Sequence, residues 1–180
     1  LLTLAFEVLT DSNIAPEIIV KLIELLAKTS GYEGMVGGQQ ADIDGEQATL
    51  TLAEIEAIHA RKTGALISMA TVSAGLIAQK SEAILNELRQ LANEIGVAYQ
   101  IRDDILDVVG TEKELGKGVA TDAALGKSTY PSLLGLDGAY STLDQHLKAA
   151  LNTIEQLNQL DAEFNPSLLK SFVNQLSLKE

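Results

Sequence analysis

Three aspartates and a glutamine stand inside a run that otherwise reads as buried helix: Gln100-Ile101-Arg102-Asp103-Asp104-Ile105-Leu106-Asp107-Val108-Val109-Gly110. At about 100° per residue, Asp103 and Asp107 fall one turn apart on nearly the same line, with Asp104 beside them and Gln100 one turn earlier. Like charges that close repel and raise one another's pKa, so the stripe is tolerable only where cations neutralise it or water reaches it fully. Hard oxygen donors of this kind suit Mg2+, which takes one or two carboxylates and fills its remaining positions with water and phosphate oxygens. A solvated acidic helix face is the competing reading, since acidic pairs on helices are common. The apolar neighbours Val97, Ala98, Ile101, Ile105, Leu106, Val108 and Val109 leave such a face little room.

Basic residues follow at once. Lys113, Lys117 and Lys127 lie in a glycine-rich stretch from Gly110 to Pro131, and lysines facing three aspartates describe a place where a polyanion and a divalent metal meet. Gly126-Lys127-Ser128-Thr129 imitates a phosphate loop, but that pattern needs a glycine where Thr121 stands and a strand before it. Upstream, His59-Ala60-Arg61-Lys62-Thr63-Gly64 puts a glycine inside a helical pattern at a cost of about 1 kcal/mol relative to alanine, which something approaching the backbone at Gly64 would explain. Lys62 and Thr63 flank that gap; a snorkelling lysine and an ordinary, partly exposed His59 are the bland alternatives. Gln39, Asp42 and Asp44 share a rim if the glycine-rich stretch from Gly31 to Asp44 is a helix, and a solvated turn if it is a loop.

The elements that must position these groups are helices. Hydrophobic residues make up 46% and charged residues 21% of the 180-residue chain, ordinary values for one globular domain. Few prolines and long Leu-, Ala-, Glu- and Gln-rich runs predict an almost wholly helical protein. Leu1 to Leu9 reads as the tail of an apolar helix, and Pro16 opens a second that stops at Gly31. Thr51 and Glu54 form a capping box for a helix running to Gln79, and Ser81 opens a long one ending at Gly110. Amphipathic helices follow over Tyr140 to Leu160 and Pro166 to Leu178. The first residues read as the middle of a helix, so an upstream part is expected. A formal charge of −12 disfavours non-specific nucleic-acid or anionic-membrane binding. Zero cysteines exclude disulfides and thiolate chemistry. No run approaches a membrane span and no leader is visible, so a cytoplasmic protein without stable membrane insertion is expected.

Taken together, Gly38-Gln39 with Asp42, Lys62-Thr63-Gly64, Gln100 ahead of D-D-x-x-D, Gly116-Lys117, Thr121-Asp122 and Gly126-Lys127-Ser128-Thr129-Tyr130-Pro131 occur in the order seen in isoprenoid diphosphate synthases. The chain resembles the C-terminal part of a bacterial farnesyl or geranyl(geranyl) diphosphate synthase. The resemblance implies the all-α isoprenoid synthase bundle, with residues 1–180 as the C-terminal part of a single domain. It implies a Mg2+-dependent prenyltransferase that joins an allylic diphosphate to isopentenyl diphosphate, giving farnesyl diphosphate. Asp103, Asp104 and Asp107 match the second aspartate-rich metal motif, with Asp103 foremost and three Mg2+ ions per complete site. Lys62, Thr63, Gln100, Lys117 and Lys127 match positions that contact the allylic diphosphate or the charge developing beside it, and Gln39 and Asp42 match the rim behind them. Relatives are homodimers. The first aspartate-rich motif and the groups that grip isopentenyl diphosphate are not found, so this span alone is expected to be inactive. A geranylgeranyl diphosphate synthase, a short non-catalytic subunit of such an enzyme and a related terpene cyclase are the alternatives.

Overall fold

In the computed structural model, which describes residues 1–46, 48–109 and 127–178, every regular element is helical. In chain order these are α1 (Leu2–Thr10), α2 (Pro16–Ser30), α3 (Met35–Asp44), α4 (Leu52–His59), a turn of π-helix (Ala60–Gly64), α5 (Ala65–Ile77), α6 (Glu82–Val109), α7 (Tyr130–Leu160) and α8 (Ser167–Gln175). Lys113, Lys117 and the expected helix end at Gly110 lie outside the described residues.

The bundle is built around α6. Its Leu88, Leu91, Ile95, Ala98, Ile101 and Ile105 recur at helical spacing and are buried. They form one core with Val72 of α5, Leu143, Leu147, Ile154 and Leu157 of α7, and Val173 of α8. A fully buried Leu or Ile contributes roughly 1.5–3 kcal/mol relative to its exposed state, so this stripe fixes α6 firmly enough to carry its acidic end.

Local chemistry sets where the helices start and stop. Thr51 Oγ1 accepts the Glu54 N–H at 3.4 Å while Glu54 Oε2 accepts the Thr51 N–H at 2.8 Å, the expected capping box. Gly31 ends α2, its N–H donating to the Ala27 carbonyl at 3.0 Å. The periodicity predicts the helix after the basic segment from Tyr140, but α7 begins at Tyr130. Thr129 caps it through a reciprocal pair with Ser132, and Pro131 sits in the first turn, where its missing N–H is harmless. Gly135 (φ 70, ψ 165) breaks the helix just beyond, which is why the early turns carry no continuous pattern.

The ambiguous stretch from Gly31 to Asp44 resolves as helix α3 from Met35. Its glycines serve contact: a Cβ on Gly38 would stand 2.3 Å from the Lys62 backbone nitrogen. At the other edge, α1 has no buried residue and leaves Leu2, Leu4 and Val8 exposed beside a shallow apolar groove closed by Leu26 and Met69. A cavity of about 550 Å³ opens between Thr71 and Gly75 of α5, Leu88 of α6, Leu157 of α7 and Leu169 of α8. Leu88 lies roughly 22 Å along α6 from Asp103, at 1.5 Å per residue.

Candidate active site

The π-turn is the local irregularity that builds the site. A five-residue turn widens the helix, and such turns recur where side chains must leave a regular spiral. The interior Gly64 predicts a close backbone approach, and what approaches is α6. A Cβ on Gly96 would lie 2.9 Å from the Gly64 Cα. With the two backbones in contact, the Thr63 hydroxyl donates to Gln100 Oε1 at 2.5 Å.

On the other side of the turn, α3 supplies Asp42. Its Oδ2 accepts from Lys62 Nζ at 2.6 Å and from Lys127 Nζ at 3.4 Å, while Lys127 also lies 3.4 Å from Glu46 Oε1. Burial pushes the Asp42 carboxyl up, but the hydrogen bond and charge of Lys62, joined by Lys127, outweigh it and hold the group below its usual range. For Lys127, burial pulls the ammonium down, and Asp42 and Glu46 more than offset it, leaving its pKa raised. Gln39 shares α3 with Asp42 and is half-buried.

The aspartate stripe divides by burial. Asp103 is partly exposed, whereas Asp104 and Asp107 are buried at 6% and 3% exposure. Asp104 Oδ2 accepts the backbone N–H of Tyr130 at 3.0 Å, tying α6 to the first residue of α7. Among the described residues no three His, Cys, Asp or Glu side chains converge on a point that a metal could occupy. The donor set still fits Mg2+, which needs only one or two carboxylates, and Asp103 is the one of the three open to solvent.

His59 and Tyr130 were not legible as site residues. The Tyr130 ring is fully buried and stacks on His59 with centroids 6.0 Å apart and planes 27° from parallel. Burial pulls the His59 pKa down to about 4; Asp42 and Asp103 oppose this, while Lys62 and Lys127 assist it. Ser128 was also missed as a brace: its hydroxyl accepts the Leu50 N–H at 3.1 Å and donates to the Ala48 carbonyl at 3.3 Å. Glu46 lies in the turn just past the end of α3, so helical spacing from Asp42 gave no signal for it.

Of the expected set, the structure joins Asp42 with Lys62 and Lys127, and Thr63 with Gln100, and it does not gather the three aspartates of α6 into one cluster. Two lysines held on one carboxylate beside an acidic helix stripe can bind an anion and a divalent cation side by side.

The family model for polyprenyl synthetase matches residues 1–164. The chain is 46% identical over 153 residues to the farnesyl diphosphate synthase of Geobacillus stearothermophilus, covering 83% of this chain and 52% of that protein. It is 42% identical over 161 residues to the farnesyl diphosphate synthase of Bacillus subtilis (strain 168), covering 88% and 54%. Its fold superposes on a crystal structure of geranyltransferase from Helicobacter pylori, complexed with magnesium and isoprenyl diphosphate. The TM-score is 0.81 at 31% identity, over 97% of this chain and 55% of that one. The chain spans about half the length of the curated relatives it matches. With an all-α bundle, the lysine and aspartate constellation and a family match over most of its length, the chain belongs to the polyprenyl synthetase family.

Proposed function

We propose that this chain forms the lysine-and-aspartate side of a prenyltransferase active site, as the C-terminal part of a single isoprenoid synthase domain. The reaction condenses dimethylallyl or geranyl diphosphate with isopentenyl diphosphate, head to tail, and releases diphosphate; the product is farnesyl diphosphate, as for the relatives named above. The observation that carries this reading is the convergence of Lys62 and Lys127 on Asp42, at the turn whose Thr63 bonds Gln100, three residues before Asp103 on α6. Two ammonium groups drawn to one carboxylate make a cationic patch that suits an anionic substrate.

Lys62 and Lys127 bind and orient the allylic diphosphate, offsetting the charge that grows on it as its C–O bond breaks. Well-placed donors of this kind each contribute on the order of 3 kcal/mol at the transition state. Lys117 joins them in the reading, outside the described residues. Thr63 and Gln100, locked to each other, present oxygens toward the allylic cation. The double bond of isopentenyl diphosphate attacks that cation, and loss of a proton completes the longer chain. Asp103 would hold Mg2+, with Asp107 one turn behind it, and the metal would supply Lewis-acid neutralisation of the diphosphate oxygens. Gln39 and Asp42 keep the lysines in place.

Among the described residues no helix is long and apolar enough to cross a membrane, which supports a cytoplasmic enzyme. The proposed assembly is a homodimer. The test is Asp103→Ala in the complete enzyme, assayed by formation of farnesyl diphosphate from geranyl and isopentenyl diphosphates with Mg2+. Turnover should fall at least about a hundredfold; near-normal turnover would remove Asp103 from the mechanism.

A further inference from the structure

Resting on that reading, we infer that Asp104 is a positioning residue: it fixes the first turn of α7 and, through the segment Lys127 to Tyr130, sets Lys127 on Asp42. Adjacent aspartates in an acidic motif invite one shared role, but these two do different things. Asp103 is partly exposed, while Asp104 is buried and aims Oδ2 at the Tyr130 N–H, 3.0 Å away. That N–H is one of the orphan donors at a helix start, and the carboxylate satisfies it.

The anchored residue is unusually well held. The Tyr130 ring is wholly buried against His59, so the backbone position fixed by Asp104 cannot drift without unpacking the ring. Thr129 caps the same turn, Ser128 bonds the backbone at Leu50 and Ala48, and Lys127 follows directly, its ammonium 3.4 Å from Asp42 and from Glu46. The chain enters α7 along a segment clamped by Asp104 at one end and released toward the anion site at the other. Tyr130 lies only three positions after Lys127, so the placement of the first turn of α7 bears on the placement of Lys127.

Asparagine separates this role from any that needs the charge, because its Oδ1 accepts the same N–H. Amide hydrogen exchange of the full chain, without metal or substrate, reads the tie directly. Asp104→Ala should speed exchange at Tyr130 about tenfold or more. Asp104→Asn should stay within about threefold of the parent, and amides of α5 should be unchanged in both. Equal acceleration in both variants, or none in either, would overturn the inference. Should Asp104→Ala not fold, Asp104→Ser, too short to reach, replaces it with the same expected outcomes. The link to Lys127 is tested by binding of inorganic diphosphate with Mg2+. The loss of affinity caused by Asp104→Ser should fall below about twofold once Lys127→Ala is present, since partners in one chain of contacts are non-additive. An undiminished loss in that background would overturn the route through Lys127. A parent that binds no diphosphate would sink the functional reading and leave the exchange test standing.

Discussion

The Thr63 hydroxyl donates to Gln100 Oε1 at 2.5 Å, joining the π-turn to α6 one turn ahead of Asp103. Both side chains are partly buried, so breaking one partner leaves the other short of a hydrogen bond in a site with little water. Thr63→Val should lower stability to urea by about 1–3 kcal/mol, and Gln100→Leu by a similar amount. The double variant should cost clearly less than the sum. Simple additivity would mean that the pair does not act as one unit.

Gly96→Ala tests the backbone contact beneath that pair. The new methyl carbon would be placed 2.9 Å from the Gly64 Cα, and neither backbone can yield alone. We expect a loss of about 1–3 kcal/mol in urea denaturation. Gly135→Ala, where nothing lies within 4 Å but φ is 70° and ψ 165°, should cost about 1–3 kcal/mol through backbone strain alone.

His59 makes stability depend on pH in a defined window. Burial holds its folded-state pKa down at about 4, from an ordinary 6.5. Between those values the unfolded chain binds a proton that the folded chain refuses, so stability is complete above about pH 6.5 and falls as the pH drops toward 4. Asp42, whose carboxyl is held below its usual range, loses its contribution only at lower pH still. Urea midpoints at pH 7 and pH 4.5 should show the parent losing on the order of 2 kcal/mol more than His59→Gln. Parallel losses in the two proteins would show that the buried imidazole is not responsible.

Asp42→Ala removes the carboxylate on which two lysines meet. Lys62 then loses this partner and Lys127 keeps Glu46, and the protein should lose about 1–2 kcal/mol. In a Lys62→Met, Lys127→Met background the same substitution should cost little, as equilibrium denaturation of the four proteins would reveal. A constant cost would place the effect in packing rather than charge.

Much of this arrangement was legible from residue spacing alone, because it depends on helical period and caps. The Thr51 and Glu54 box, the stripe along α6 and the polar line from Gln100 to Asp107 follow from about 100° per residue. What stayed hidden depends on contacts across the fold. Nothing near His59 announces that Tyr130 covers it. The glycines of α3 look like loop punctuation until Lys62 passes over Gly38 at a distance no side chain would permit. Asp104 and Asp103 are the same residue type side by side, and only the start of α7 distinguishes them. Tyr130 itself was overlooked as a helix start because Gly135 interrupts the pattern just after it.

The widened turn at Ala60–Gly64 also acts as a phase shift. A single residue in excess of the α-helical count turns everything downstream by roughly 100° about the axis. Val72, buried in the core, would swing away from α6 if the excess were removed, while Ile55, equally buried on the upstream segment, would stay put. Deleting one residue from the turn therefore cannot merely straighten the helix. It sets the two halves' apolar faces against each other, and the chain must give up either the core behind α5 or the meeting of Lys62 with Asp42. Length variation among homologous chains should consequently avoid this turn and gather in the connections on either side of it.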